Sequence, residues 1–324
     1  MEIRILSGSD VRRAVGMADA IGAVREAYVQ VSAGEAVLPL RTPVPVEKQE
    51  GVTLFMPAYL AGSDALGAKI VSVFARNPLD GLPLIHAVVI IVDATTGRPK
   101  ALMDATYLTA LRTGAASGVA TDLLARTDGL VAAVFGAGAQ ARTQLEAVCT
   151  VRPIEEVWVY DVSPEAALAY ASEMKGRGQP FPSDIFVADS PAQALHQADV
   201  VCTATTSETP VFDDEDLKLG VHINGVGSYT PEMQEIPAQT VMRAKVVVDS
   251  REASLSEAGD LIKPLRQGLI SEAHIHGEIG QVAAGKIPGR ESDEEITFFK
   301  SVGLAAQDVA VAELILRRAQ EQGL

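Results

Sequence analysis

Cysteine is nearly absent: among 324 residues only Cys149 and Cys202 carry a thiol, both in apolar stretches and far apart. Two such thiols exclude a disulfide framework and a thiolate metal site, so both are read as packing residues and a reducing compartment is expected. Aromatics make up only 5 % of the chain. Ala, Val, Leu and Ile must therefore fill the interior, which suits helices packed on a parallel sheet. Basic charge is also scarce: Lys plus Arg total 27 against 42 Asp plus Glu, a formal net charge of -15. That field repels phosphate backbones and anionic lipid, and excludes nucleic acid and membrane surfaces as expected partners. Any anionic small ligand must be captured by a local cluster of cations working against the field. No uncharged apolar run approaches the roughly 18 residues of a spanning helix, and the first ten residues lack a basic flank followed by an apolar core. A cytoplasmic protein is expected.

The length suggests two domains of roughly 150 residues each. Ser9 or Asp10 is placed to cap a short first helix, and Met17 to Ser32 carries Ile21, Val24, Tyr28 and Val31 at helical spacing before Gly34. Strand-like pieces follow at 41–46, 52–56, 66–74 and 85–92. A Thr- and Gly-containing connection then leads to 101–104, as in an antiparallel hairpin. A long Ala-, Thr- and Gly-rich helix from Thr106 to Arg126 closes this α+β portion. Six short apolar strands then alternate with helical patterns at 130–135, 157–161, 184–187, 200–204, 221–226 and 245–249, which calls for a Rossmann-type doubly wound parallel sheet. Ser190-Pro191 starts one connecting helix with a cap and a first-turn proline. The last amphipathic stretch, Gly303 to Arg318, is placed to pack back on the first portion. The chain thus reads as α/β: a substrate and dimerisation domain from 1–113 with 303–324, and a dinucleotide-binding domain from 114–302.

The strand Val131-Ala-Ala-Val-Phe135 runs directly into Gly136-Ala-Gly138-Ala-Gln-Ala141, which opens a helical pattern. Gly136 permits the tight turn, Gly138 lets backbone N–H groups approach a pyrophosphate, and Ala141 permits close helix packing. Gly136, Ala137, Gly138, Ala139 and Gln140 are therefore candidate cofactor contacts. The second strand ends in Asp161, 25 positions after Gly136 and well placed for the adenosine ribose hydroxyls. Its charge repels a 2′-phosphate, so NAD is expected over NADP, a preference that a neighbouring cation would reverse. Ligands of open parallel sheets lie beyond the carboxyl ends of strands, which adds Thr203 and Thr205 after the fourth strand and Gly225, Val226 and Gly227 at the fifth.

Three cations of the first portion sit in apolar surroundings: Arg41 after Leu38-Pro-Leu, Lys69 within Leu66-Gly-Ala-Lys-Ile-Val, and Arg112 within Leu108-Thr-Ala-Leu-Arg-Thr-Gly-Ala. Buried cations need partners, so each is either half of an internal ion pair or part of an anion site.

Met103-Asp-Ala-Thr-Tyr-Leu-Thr-Ala-Leu-Arg-Thr-Gly-Ala-Ala-Ser117, Gly136-Ala-Gly-Ala-Gln140, His222-Ile-Asn-Gly-Val-Gly227 and Gly289-Arg-Glu-Ser-Asp-Glu-Glu-Ile-Thr297 with Ser301-Val-Gly303 resemble the ornithine cyclodeaminase/μ-crystallin family over nearly the whole chain. The resemblance implies hydride transfer between nicotinamide C4 and the α-carbon of a small amino or imino acid. It further implies that Arg41, Lys69 and Arg112 hold the substrate carboxylate, that Thr113 reaches the cofactor phosphate, and that Ser301 lies at the nicotinamide end. A homodimer contact built by the first domain and the final helix is implied as well. An Arg fork suits a carboxylate and aims the reacting carbon.

The family's cyclodeaminases use an aspartate in the loop after the fifth strand and a glutamate just before the Met-Pro of the second strand region; here Tyr229 and Leu54 align with those positions. Leu54 would leave a distal ammonium without compensation, whereas it suits a ring methylene of a proline-like product. The preferred reading is therefore an NAD(P)-dependent imine reductase or amino-acid dehydrogenase acting on CH–NH, of the Δ1-pyrroline-2-carboxylate reductase or alanine dehydrogenase kind. Lys69 or a water it orders, and Tyr229, are the candidate proton-handling groups. Ornithine cyclodeamination with recycled NAD and non-enzymatic crystallin-like nucleotide binding are the alternatives. No metal is expected: glycine and a following helical pattern argue against a regular strand carrying His274, His276 and Glu278. His86 and His196 are expected to be satisfied structural residues, and Arg290 a counter-ion to the acidic turn 291–295.

Overall fold

The computed structural model describes residues 2–324, which divide into two compact units, one of residues up to Arg112 together with Leu304–Leu324, the other Thr113–Gly303. The first unit opens with strand β1 (Arg4–Leu6) and helix α1 (Gly8–Ala14). Ser7, not Ser9 or Asp10, is the cap: its hydroxyl accepts from the Asp10 amide and the Asp10 carboxylate accepts from the Ser7 amide, so two otherwise orphaned donors are satisfied reciprocally. Helix α2 (Met17–Ala33) ends on Gly34 in the left-handed region. Strands β2 (Ala36–Val37), β3 (Thr42–Val46), β4 (Gly51–Leu60), β5 (Ala65–Phe74), β6 (Ile85–Asp93) and β7 (Pro99–Asp104) complete a seven-stranded sheet ordered β1-β7-β6-β5-β4-β2, with β3 paired to β4. The hairpin at Asp93–Pro99 forms as its sequence implies. Strand β1 pairs parallel to β7 and was not legible, being three residues long.

One face of this sheet is covered by the C-terminal helix (Ala305–Gln322), which packs on α2, β4, β5 and β6. Across that face Met56, Lys69, Val89 and Met103 lie opposite one another on β4, β5, β6 and β7, all buried. The other face carries Phe55, Ile70 and Val88 in one row and Leu102 beside Ile90 in the next, with Phe55, Val88 and Leu102 exposed.

Helix α3 (Thr106–Leu124) begins in the first unit and continues in the second; it is buried on all sides from Leu111 to Ala120, as an Ala- and Gly-rich helix without a polar stripe should be. In the second unit, strands β8 (Val131–Phe135), β9 (Glu156–Tyr160), β10 (Asp184–Val187), β11 (Val200–Thr203), β12 (His222–Gly225), β13 (Lys245–Val248), β14 (Ile275–Glu278) and β15 (Thr297–Lys300) form an eight-stranded, wholly parallel sheet ordered β10-β9-β8-β11-β12-β15-β13-β14. Helix α4 (Ala139–Val151) follows β8 and helix α5 (Pro164–Gly176) follows β9. Strands β8 and β11 send alternate residues into two cores: Phe135 and Val201 with Ile223, Val246 and Phe298, and Val134 and Cys202 with Leu145, Val159 and Tyr170. Both cysteines are buried and free, as packing residues.

Two of the eight strands run against expectation. Ile275–Glu278 is a strand despite its glycine, paired to β13 through a register shift, and Thr297–Lys300 is a central strand between β12 and β13. One is interrupted by a glycine and the other directly follows an acidic turn, so neither shows as a continuous apolar run. One minor expectation changes as well. His86 and His196 are exposed, and the buried structural histidine is His222, held between Thr297 and Asn224 with its pKa pushed down to about 3 by burial, hence neutral. Arg290 lies in the field of Glu295 and Asp293, as a counter-ion to the acidic turn should, and donates to the backbone carbonyls of Leu124, Ser292 and Glu295; Lys245 adds ion pairs to Glu291 and Glu295. His274 and His276 donate to the carbonyls of Val241 and Pro288.

Candidate active site

The first unit gathers its cations around one acid. Lys69 points from the inward face of β5 to the C-terminal helix, where its ammonium lies 2.8 Å from both carboxylate oxygens of Asp308. Arg112 on α3 donates through Nε to Asp308 at 2.8 Å and through a terminal nitrogen to Gln307 at 3.1 Å. Gln307 is itself fixed: its amide nitrogen donates to the Tyr28 hydroxyl at 2.6 Å and its oxygen accepts from the Leu304 amide. Lys69 is 1 % exposed, Arg112 7 % and Asp308 0 %. Two buried cations thus share one buried carboxylate. Burial above all, then the Arg112 charge, pushes the Lys69 pKa down to about 8; Asp308 pulls it upward, and Arg41 adds a smaller downward push. Arg41 directly precedes β3, whose Thr42 pairs with Phe55, the neighbour of the residue opposite Lys69. Both predicted arginines are therefore within electrostatic reach of Lys69.

Leu54 lies on the same inward face as Lys69, opposite Val71 and one inward-facing pair further along the strands. The residues flanking Lys69 on that face of the sheet, Leu54, Met56 and Val71, are accordingly apolar. Sequence reading missed Asp308, Gln307 and Tyr28. The available signal was an acid on the same helical stripe as Ala312, Ile315 and Ala319, all buried.

In the second unit the phosphate loop takes the expected form. Gly136 has φ +94° and donates to the Tyr160 carbonyl at 2.9 Å; a Cβ there would lie 2.8 Å from the Ala204 carbonyl oxygen. Gly138 is the N-cap of α4, with open space where a side chain would stand and no side chain capping the helix. Ala139 and Gln140 form its first turn. The Asp161 carboxylate accepts from the amides of Ala137 at 2.8 Å and Ser163 at 2.8 Å, which ties the first loop to the end of the second strand. Arg142, unnoticed in the sequence, donates to the carbonyls of Ala137 and Gly138 and to Glu173, and so braces the loop. These features fit a dinucleotide: an uncapped helix N-terminus offers N–H groups to a pyrophosphate, the space at Gly138 is open to a ligand, and the buried Oε1 of Gln140 has no partner among the described residues.

The remaining predicted contacts sit at or near strand ends. Thr203 and Thr205 give their hydroxyl protons to the buried Glu235. Gly225, Val226 and Gly227 are buried at the end of β12. Ser301 donates to Asp249 at 2.8 Å, and the same carboxylate accepts from the amides of Val302 and Gly303. Thr113 is buried at the second unit's first position. Tyr229 is 37 % exposed, and partial burial holds its hydroxyl above the usual tyrosine pKa, so it is protonated at neutral pH.

Three relatives resemble the chain along almost all of its length. A Δ1-pyrroline-2-carboxylate reductase of Bacillus cereus is 42 % identical over 321 residues, covering 99 % of this chain and 98 % of the relative. The structure of Thermococcus litoralis Δ1-pyrroline-2-carboxylate reductase in complex with NADH and L-proline superposes with a TM-score of 0.96 at 44 % identity, covering 99 % of each chain. An archaeal alanine dehydrogenase dimer with bound NAD gives a TM-score of 0.93 at 40 % identity, covering 100 % of this chain and 98 % of that one. The model of the ornithine cyclodeaminase/mu-crystallin family matches residues 1–323, and the chain belongs to that family.

Proposed function

We propose that the protein is an NAD-dependent reductase of small α-imino acids, with cyclic imines of the Δ1-pyrroline-2-carboxylate kind as substrates. The observation that carries this reading is the surplus of positive charge around Asp308: Lys69 and Arg112 share one carboxylate, and the lowered Lys69 pKa marks a cluster that a second acid group would relieve. The substrate carboxylate is that second acid. Arg112 is oriented for it by Asp308 and Gln307, and Arg41 adds a cation from the edge of β3. NADH bound at Gly136–Gln140 supplies the hydride that the imine carbon accepts. Lys69, with a pKa near 8, is largely protonated at neutral pH and delivers the proton to the nitrogen; Asp308 keeps the ammonium aimed. Leu54 and Val71 supply an apolar wall for ring methylenes. With no carboxylate at 54 or 229, the distal ammonium of ornithine lacks a counter-charge, which favours reduction over cyclodeamination.

The dinucleotide is assigned to Thr113, Gly136, Ala137, Gly138, Ala139, Gln140, Asp161, the loops carrying Thr203, Thr205, Gly225, Val226 and Gly227, and Ser301. Asp161 opposes a 2′-phosphate, and Arg142 is held by loop carbonyls and Glu173, so the cofactor is NAD rather than NADP. A homodimer is part of the proposal, supported by the exposed apolar face of the first sheet at Phe55, Val88 and Leu102. No helix among the described residues is long and apolar enough to cross a membrane, and a cytoplasmic enzyme is proposed. The test is turnover by purified protein of pyrroline-2-carboxylate, piperideine-2-carboxylate, and pyruvate with ammonia, followed by nucleotide absorbance. Stoichiometric NADH oxidation with a cyclic imine is the expected result. Ammonia release from ornithine without net nucleotide change would instead establish a cyclodeaminase.

A further inference from the structure

Glu235 is fully buried in the second unit, yet none of its hydrogen-bond partners is a cation. Its carboxylate instead collects five donors from two strand-end loops. Oε1 accepts from the Thr205 amide at 2.6 Å and the Thr205 hydroxyl at 2.8 Å. Oε2 accepts from the Thr203 hydroxyl at 2.8 Å, the Gly227 amide at 2.7 Å and the Ser228 amide at 3.2 Å. Burial first, then the Asp260 charge, raises the Glu235 pKa, while Lys300 and the Thr205 donors oppose that rise. Three of the five partners are backbone amides, which only donate, and each carboxylate oxygen accepts from at least one, so the cage fits an acceptor on both sides. The loops after β11 and β12 approach so closely here that a Cβ on Gly227 would run into the Thr205 carbonyl oxygen and the Glu235 carboxylate.

Glu235 is held in turn. The Asp260 carboxylate accepts from the amides of Glu235 at 2.7 Å and Ile236 at 3.0 Å, and its other oxygen lies 3.0 Å from the ammonium of Lys300, the last residue of β15. Asp260 and Lys300 are both 0 % exposed. One chain of contacts therefore links the carboxyl ends of β11, β12 and β15, the edge of a parallel sheet where ligands bind.

We infer that Glu235 is a positioning residue for the dinucleotide: it locks the Thr203–Thr205 and Gly225–Ser228 loops into one rigid ledge that receives the nicotinamide half of the cofactor, with Asp260 and Lys300 fixing Glu235 itself. The inference rests on the NAD-reductase reading, which wild-type NADH binding tests separately. Glu235→Gln preserves size but turns an amide NH2 toward two or three donors, whichever way it lies. Calorimetric binding of NADH and of ADP-ribose to folded wild-type and variant protein separates the two halves of the cofactor, since the adenosine end belongs to the Gly136–Gln140 loop and Asp161. The expected result for E235Q is NADH binding weakened by about tenfold or more, with ADP-ribose affinity kept within about twofold. Unchanged NADH affinity, or equal loss for both ligands, overturns the inference. If E235Q fails to fold, Asp260→Asn loosens the group that fixes Glu235 without touching an assigned cofactor contact and is read the same way. Should wild-type protein bind no NADH, the reductase reading itself falls.

Discussion

Each unit buries one cluster of ionisable side chains, and the two clusters have opposite balance. In the first, Lys69 and Arg112 share Asp308, two cations on one acid. In the second, Lys300 pairs with Asp260 and its charge also reaches Glu235, two acids and one cation, but Glu235 is satisfied by five N–H and O–H donors. A buried charge without a partner is costly, so the balance indicates what each cluster is for. In the acid-rich cluster Glu235 is satisfied by neighbouring amides and hydroxyls, which suits the positioning role inferred for it. The cation-rich cluster holds two cations on one acid, and under the proposed function the substrate's carboxylate is the second anion. In a protein of net charge -15, a local positive surplus of this kind has to be built from buried groups.

The largest expected effect that sharpens this contrast comes from Lys69→Met. Removing the proposed proton donor and half of the cation pair should lower kcat by about 10²–10⁴-fold while NADH affinity, assigned to the other unit, stays nearly unchanged, as steady-state kinetics and fluorescence titration would show. A variant with near-normal kcat would mean that Lys69 neither donates the proton nor grips the acid. Asp308→Asn comes next. It strands two buried cations, and denaturant unfolding should show a loss of about 3–5 kcal/mol; equal stability would show that the cluster does not carry the charges assigned to it. The smallest effect is in pH dependence. Lys69 carries its proton below about 8 and loses it above, so kcat/KM for imine reduction should fall as pH rises through that value. In Asp308→Asn the limb should move to lower pH, because the carboxylate is the group that pulls the Lys69 pKa upward.

The contrast also explains what could be read in advance. The phosphate loop was legible because its parts are consecutive: a strand, Gly136, Gly138 and a helix, then Asp161 one strand later. Lys69 and Arg112 were conspicuous as cations in apolar runs, but their partner Asp308 lies 239 and 196 positions away from them in sequence. No local pattern links those residues; only the packing of the C-terminal helix on β5 brings them together. Glu235 escaped notice for a related reason. It sits in an irregular loop, and its role follows from five donors on two other loops rather than from its neighbours. Strand β15 was hidden differently, as four residues flanked by an acidic turn, although it is central in the sheet.

The central claim is that the Lys69–Arg112–Asp308 cluster is completed by the acid group of the substrate. Calorimetry on the NADH-saturated protein with L-proline and with L-prolinamide, which differ only in that group, tests it directly. The account predicts saturable binding of L-proline and no measurable binding of L-prolinamide. Equal affinities for the two would contradict it.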